Sequence, residues 1–273
     1  MKNKIKTHSK KAIKFFDSWT GSIIFALIVI FFIAQNFRIP SGSMKDTLLV
    51  GDHLFAKKFA YGISMPHIPF LEVSVMPWSD SLRLVDGDKP KRGDIVIFRP
   101  PHNHKMHFVK RCVATPGDEL FILDKDLYLH HKEGDKFIEE FFSEYEIVKF
   151  SRKLWVKNPY MKDYPGIHHD DKIVNDGRYP TPIFNFNPIK VDEDNYFMMG
   201  DNRDHSNDSR FWGTVPYDNI EGKPWFIYFS MSNDFEIRWN RFGKTPTELE
   251  QEPYLEKARI ERIKEDRDDH EIY

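Results

Sequence analysis

Residues 91–114, KRGDIVIFRPPHNHKMHFVKRCVA, contain the two runs that best define the fold class. Asp94–Phe98 and His107–Ala114 are short and rich in β-branched and aromatic residues, and Pro100-Pro101 between them is a turn signal. No apolar pattern with the 3.6-residue spacing of a helix interrupts them. The stretch therefore predicts two β-strands joined by a loop.

Similar strand-like runs lie on both sides of this stretch, separated by turn signals such as Thr115-Pro-Gly-Asp118. They are His53–Lys57, Glu119–Leu123, Asp126–His130, Tyr196–Met199 and Trp225–Phe229. Strands that do not alternate with helical segments argue against βαβ units. We therefore expect a mainly β body.

The length of 273 residues suits one large domain or a core with a sizeable insertion. Residues 131–190 are rich in Lys, Asp, Tyr and Pro and are predicted to form an insertion or smaller subdomain. The main domain is then expected to comprise residues 38–130 and 191–243. Residues 244–273 are densely charged, which predicts a solvated surface helix or a partly disordered tail.

The N-terminal region has the charge pattern of a membrane anchor. Residues 1–17 hold six lysines and one aspartate, whereas residues 18–37 carry no charge and include the apolar run Ile23–Ala34. About 20 apolar residues span a bilayer as a helix, and the lysine excess predicts a cytoplasmic N-terminus. A cleavable signal peptide is the alternative, but Ala34–Arg38 offers no small-x-small cleavage pattern. We expect a retained, single-pass helix at 18–37.

The composition excludes several classes of protein and site. A net charge of -2 argues against a nucleic-acid binder that works by bulk positive charge, and a single cysteine cannot form an internal disulfide. The cluster His102, His104 and His107 could hold Zn²⁺, but no carboxylate or cysteine completes the set, so solvated histidines are favoured. No phosphate-binding loop or dinucleotide fingerprint occurs, so we predict no metal and no cofactor.

Three segments hold candidate catalytic groups. Ser41-Gly-Ser43 follows the apolar segment, and a serine hydroxyl needs an adjacent base to become a nucleophile. Lys110 lies in the middle of a predicted strand, and residues 200–210 place three aspartates and two arginines in one loop. Taken singly, these segments also fit a turn, an outward-facing lysine and a solvated loop.

Together the segments resemble bacterial type I signal peptidases. Pro40–Met44, Lys91–Phe98, Val109–Val113 and Gly200–Arg210 occur in the order found in that family, and the resemblance extends from about residue 20 to about residue 240. It implies an antiparallel β-sheet catalytic domain with an inserted subdomain, preceded by one transmembrane helix. It also implies an endopeptidase of the bacterial inner membrane, with its catalytic domain on the outer side. Its partners would be preprotein signal peptides, cleaved after small residues, and the lipid bilayer.

The resemblance also implies a role for individual side chains. Ser43 would be the nucleophile and neutral Lys110 its general base, a Ser-Lys dyad being a known alternative to Ser-His-Asp. The Ser43 N–H and the Ser41 hydroxyl would form the oxyanion hole. The supporting residues would be Ser206, which would orient the lysine, and the ion pairs Asp208 with Arg210 and Asp201 with Arg111.

Elementary electrostatics agrees with these roles. A lysine with the ordinary pKa near 10.4 is protonated at pH 7, and burial among apolar side chains lowers that pKa. An aspartate touching the lysine would raise it again, so both Asp208 and Asp201 should be occupied by arginines. The family usually has Asn where this chain has His205; a histidine in a polar loop is usually solvated, so Lys110 is the preferred base.

Two other readings stay open from the sequence. A Ser-Lys self-cleaving protease of the repressor type shares the chemistry, but it would have a helix-turn-helix where this chain has an apolar segment. A catalytically inert, membrane-tethered binding domain could keep the same fold, because fold does not imply function.

Overall fold

The computed structural model describes residues 18–28, 34–64, 67–68, 73–74 and 83–271. Its helices are α1 (Trp19–Ile28), α2 (Asp135–Phe141), α3 (Thr181–Phe184), α4 (Ser209–Trp212), α5 (Pro246–Leu249) and α6 (Tyr254–Glu271). Its strands are β1 (Ala34–Arg38), β2 (Asp52–Lys57), β3 (Gly62–Ser64), β4 (His67–Ile68), β5 (Val73–Ser74), β6 (Arg83–Asp86), β7 (Ile95–Phe98), β8 (Phe108–Ala114), β9 (Glu119–Leu123), β10 (Asp126–His130), β11 (Ile147–Phe150), β12 (Lys153–Lys157), β13 (Phe186–Lys190), β14 (Asn195–Met199), β15 (Val215–Pro216) and β16 (Ile220–Ser230).

Seven strands form one antiparallel sheet in the order β1-β2-β16-β7-β8-β14-β15. The two runs in residues 91–114 become β7 and β8, which pair with Val96 opposite Lys110. The prediction of a mainly antiparallel β fold is confirmed. This pairing also places the candidate lysine in the middle of the sheet.

Strand β7 is buried on both faces, which explains its unbroken apolar sequence. Ile95 and Ile97 pack on one side with Leu54 of β2, while Val96 and Phe98 pack on the other side with residues such as Cys112. Alternate residues of a strand point to opposite faces, so one short run serves two cores. Cys112, the single cysteine of the chain, is a buried free thiol in β8.

A second antiparallel sheet has the order β11-β12-β10-β9-β13. We expected β9 and β10 in the main domain of residues 38–130 and 191–243, but they pair with strands of the segment 131–190. This pairing has a physical reason: Leu120 and Leu127 pack in one core with Ile167, so the hairpin buries its apolar face within the second sheet. The same core includes Val113 and Phe197 of the main sheet and thereby joins the two sheets.

The N-terminal region differs from the expected helix at 18–37. Helix α1 covers Trp19–Ile28, and residues 34–37 belong to strand β1, which pairs with β2 along Ala34–Arg38. Phe37 packs against the core beneath β2, which draws this end of the apolar segment into the sheet. No helix in the described ranges is long and apolar enough to cross a membrane. Residues 1–17 and 29–33 lie outside the described residues.

Residues 244–271 of the charged C-terminal segment fold back onto the main domain. Thr245 caps α5 through a reciprocal pair of hydrogen bonds with Glu248, and α6 follows from Tyr254. Leu255 and Ala258 of α6 are buried. The predicted surface helix is therefore present, but one of its faces packs against the protein.

Candidate active site

The turn that carries Ser43 follows β1 directly. Gly42–Met44 form a single 3₁₀ turn. Met44, the last residue of this turn, and Leu48 are buried in the core with Ile95 of β7. These two apolar anchors, four positions apart, hold the backbone between them against the sheet. The turn is therefore fixed beside β8, the neighbour of β7.

The side chain of Lys110, from β8, reaches Ser43 at this turn. The Nζ atom of Lys110 lies 2.6 Å from the Oγ atom of Ser43, and both side chains are buried, with residue exposures of 4% and 8%. Lys110 Nζ also donates to the backbone oxygen of Val109 at 3.2 Å. The Oγ atom of Ser41 lies 3.5 Å from that of Ser43, beside the same reacting group.

Burial lowers the pKa of Lys110 to about 8. The carboxylates of Asp208 and Asp201 act in the opposite direction, and the Arg210 guanidinium acts in the same direction as burial. A desolvated ammonium is costly, so the neutral amine becomes accessible near physiological pH. A neutral amine at hydrogen-bond distance from a hydroxyl can accept its proton.

Asp201 and Asp208, the two aspartates that act on Lys110, each form a buried ion pair with an arginine. Arg111 contacts Asp201 through Nε at 2.8 Å and Nη2 at 2.7 Å, and Arg210 contacts Asp208 at 2.8 and 2.9 Å. Burial alone would raise the pKa of both carboxyls, but the arginines outweigh it and hold both pKa values below the usual range. Both aspartates stay charged and engaged, which leaves Lys110 without a direct carboxylate partner among the described side chains.

Ser206 lies beside this site but makes no hydrogen bond to Lys110. Its side chain is buried and acts with Arg210 to lower the pKa of Asp208. Ser206 packs on Gly200, where an added Cβ would lie 2.3 Å from Ser206 Oγ and 2.5 Å from the backbone oxygen of Ser43. The absence of a side chain at Gly200 thus lets the loop approach the nucleophile turn closely.

Several residues of the site were missed from the sequence. Asn202 donates from its backbone N to Ser43 O and from Nδ2 to Gly42 O, each at 3.1 Å. Thr47 donates to Asp201 at 2.7 Å, and Glu250 contacts Arg111 from the far end of the chain. Asn202 lies inside the recognisable loop motif and could have been found there, whereas no local pattern points to Glu250.

The histidines of the sequence analysis lie apart from the dyad contact. His205 is half-exposed, and its Nε2 lies 2.9 Å from Asp170 Oδ2. His107 pairs with Glu221 at 3.0 Å, while the His102 ring packs near Trp212. These contacts leave His205 as a partner of Asp170 rather than of Ser43.

Asp118, His131 and Glu133 form the one group in the described residues whose ligand atoms are close enough to hold a metal ion. The Arg92 guanidinium already contacts the carboxylate of Asp118 at 2.5 Å and that of Glu133 at 2.9 Å. A bound cation would have to displace that charge, so the group is better described as an arginine site.

Comparison with known proteins finds a family match, related sequences and a solved structure. A family model described as signal peptidase, peptidase S26, matches residues 12–229. The protein named signal peptidase I from Helicobacter pylori is 41% identical over 271 residues, covering 86% of this chain and 93% of that protein. The signal peptidase I from Rickettsia typhi is 34% identical over 278 residues, covering 96% of both. A solved signal peptidase I structure from Enterococcus faecalis V583 covers 50% of this chain and 97% of its own, with 22% identity and a TM-score of 0.31.

Proposed function

The chain belongs to the signal peptidase family, peptidase S26, and on this premise we propose that Ser43 and Lys110 are its catalytic dyad. As a member of that family it is a serine endopeptidase that removes signal peptides from preproteins. This membership favours neither of the alternatives left open by the sequence, an inert binding domain or a self-cleaving repressor-type protease. The buried 2.6 Å contact between Lys110 Nζ and Ser43 Oγ carries the proposal.

The reaction uses the Ser43 hydroxyl as nucleophile and the Lys110 amine as base and then as acid. Neutral Lys110 takes the proton of Ser43 as Oγ attacks the scissile carbonyl, and the Ser43 N–H with the Ser41 hydroxyl stabilises the oxyanion. As the tetrahedral intermediate collapses, the Lys110 ammonium gives its proton to the leaving amine, and an acyl-enzyme on Ser43 remains. Lys110 then activates the water that hydrolyses this ester. The two arginine–aspartate pairs keep the lysine environment fixed, and Ser206 packs on Gly200 beside the turn that carries Ser43.

The membrane is the second part of the proposal. We infer that the apolar segment anchors the chain in the bacterial inner membrane, with the basic N-terminus in the cytoplasm and the β domain on the outer side. From Ala34, where β1 begins, the chain can reach Ser43 within at most about 30 Å. The dyad would therefore work near the bilayer surface, where the signal segment of a preprotein lies.

Exposed aromatic rings support contact between the β domain and lipid. The outer faces of β2 and β16 carry half-buried rings, with Phe55 and Tyr228 centroids 4.6 Å apart. Beyond β16, Phe235 and Trp239 are 80% and 71% exposed. Aromatic rings are favoured at membrane–water interfaces, so these side chains suit a surface that rests on the headgroup region.

Cleavage of a preprotein across pH tests the dyad. Ser43→Ala and Lys110→Ala should abolish turnover, and the wild-type rate should rise with pH through about 8 as Lys110 loses its proton. The exposed residues Ser143 and Lys105 provide matched controls, since Ser143→Ala and Lys105→Ala remove the same groups away from the site. Full activity in either dyad variant would contradict the mechanism.

A further inference from the structure

Asp46 lies just after the turn that carries Ser43 and is a buried acidic residue that the mechanism above does not use. It lies three residues after Ser43 and is fully buried. Its backbone φ is +75°, in the left-handed region that residues other than glycine rarely adopt. A buried carboxylate and a strained backbone both cost stability, and strain of this kind collects at functional sites.

Two basic side chains from distant parts of the chain contact the Asp46 carboxyl group. His168 Nδ1, from the segment 131–190, lies 3.4 Å from Oδ2, and Arg262 Nε, from α6, lies 3.3 Å from Oδ1. Neither carboxylate oxygen has a hydrogen-bond partner within the described ranges. Burial lowers the pKa of His168, so Arg262 is the contacting side chain that carries a positive charge at neutral pH, and burial raises the pKa of Asp46 against the pull of both partners.

His168 also ties this cluster to the loop that carries Asp201. Its backbone N–H donates to Asp201 O at 2.9 Å, and its carbonyl accepts from Arg203 N at 3.0 Å. Two residues earlier, a Cβ at Gly166 would lie 2.2 Å from Thr47 Oγ1, so this segment rests directly on the nucleophile turn. The turn, the loop and the segment 166–168 thus meet around Asp46.

We propose that Asp46 is a positioning residue and that Arg262 of the C-terminal helix holds it, which keeps Ser43 Oγ aligned with Lys110. The inference rests on the proposed dyad. It assigns a catalytic purpose to α6, which also packs through Leu255 and Ala258 and pairs Glu261 with Arg238. Loss of the ionic contact lets the turn relax its strained backbone, and a nucleophile displaced by a fraction of an ångström reacts more slowly.

Charge variants of the full-length enzyme test this role. Arg262→Met should lower kcat about tenfold while KM and the melting temperature change little, and Arg262→Lys should recover most of the loss. Lys257→Met is the matched control, because Lys257 is exposed on the same helix and loses the same charge. Its kcat should equal that of the wild type.

Asp46→Asn tests the same contact from its other side, and a double-mutant cycle tests whether the two residues act through each other. Asp46→Asn should also lower kcat about tenfold, and adding Arg262→Met to it should cost less than about twofold more, because the partner charge is already gone. Additive losses in the cycle, or a wild-type kcat in Arg262→Met, would overturn the positioning role. If Ser43→Ala and Lys110→Ala are inactive in the same assay, such a result leaves the proposed dyad intact.

Discussion

Lys110 shows how strongly one side chain depends on its surroundings. With its pKa at about 8, about one molecule in ten has the neutral amine at pH 7, compared with fewer than about one in a thousand for a solvated lysine. The sequence motif identified the residue, and its place within an apolar strand indicated burial. The pairing of Arg210 and Arg111 with the two aspartates completes the explanation, because free carboxylates would hold the proton on the lysine.

Removing the positive charge of Arg210 and removing the negative charge of Asp208 should shift the acid limb of the pH–activity profile in opposite directions. Arg210→Gln removes a cation that lowers the pKa of Lys110, so the limb should shift to higher pH by about one unit. Asp208→Asn removes an anion that raises this pKa and should shift the limb to lower pH. Profiles of kcat/KM against pH measure both shifts, and two shifts of the same sign would contradict this electrostatic account.

Gly200 should not tolerate a side chain. A Cβ there would lie 2.5 Å from the backbone oxygen of Ser43, and a backbone atom cannot move away cheaply. Gly200→Ala should therefore lower kcat by at least about tenfold. Gly177→Ala serves as the control for general loss of stability, since it strains a backbone at φ +86° away from the site while its Cβ meets nothing within 4 Å. Equal kcat values in the two variants would argue against the close approach.

His205 should be dispensable for catalysis. It is half-exposed and pairs with Asp170 at 2.9 Å, and exposed ion pairs contribute little energy. His205→Asn should keep its rate of preprotein cleavage within about threefold of the wild type. A collapse of the rate would instead identify this histidine as the base.

The strands illustrate which elements a sequence reveals. β9 and β10 are found with the bounds expected for them, because each is a short run rich in apolar and aromatic residues between turn signals. The hairpin of β11 and β12 was missed, since its turn residues Ser151 and Arg152 adopt positive φ without the Asn-Gly signal usual there. β13 contains Pro188, which demotes a strand prediction, yet it lies at the edge of its sheet, where proline is tolerated.

The residues of the site also differ in how well the sequence reveals them. Ser43, Lys110 and the arginine–aspartate pairs lie in recognisable local motifs, and the structure brings them together. Glu250 and Arg262 reach the site from the C-terminal segment, which reads as an ordinary charged tail. Their partners depend on how α5 and α6 fold back, and no local periodicity encodes that contact.

A buried ion pair should stabilise the contact between β16 and the loop before β8. Burial alone would raise the pKa of Glu221, but His107 and Arg99 lower it to about 2. Because the folded-state pKa is depressed, this stabilisation is present above pH 4.5 and is lost as pH falls towards 2.

Glu221→Gln should accordingly lower the free energy of unfolding at pH 7 by about 3 kcal/mol. Urea unfolding at pH 7 and near pH 3 measures the change, which should be smaller at the lower pH. Glu193→Gln, at an exposed position, is the matched control. A loss of stability that does not depend on pH would point to packing rather than to charge.

For the whole molecule, the exposed aromatic residues beyond β16 predict a difference between two kinds of substrate. Replacing Phe235 and Trp239 by Ser should lower cleavage of a preprotein in lipid vesicles about tenfold, since the apolar contact with lipid is lost. Cleavage of a short soluble peptide should stay unchanged. Phe141 and Phe150, also exposed, give a matched double control in the segment 131–190. Equal losses on both substrates would contradict the membrane contact.

The buried Cys112 makes the intact enzyme convenient for site-directed labelling. Burial raises the pKa of its thiol well above the ordinary value, and no solvent path leads to a side chain with zero exposure. A maleimide dye or nitroxide added to the native protein would therefore find no reactive sulfur. One cysteine introduced on the surface would be the sole attachment point, so fluorescence quenching or spin-label spectra could map its depth in a vesicle without altering β8.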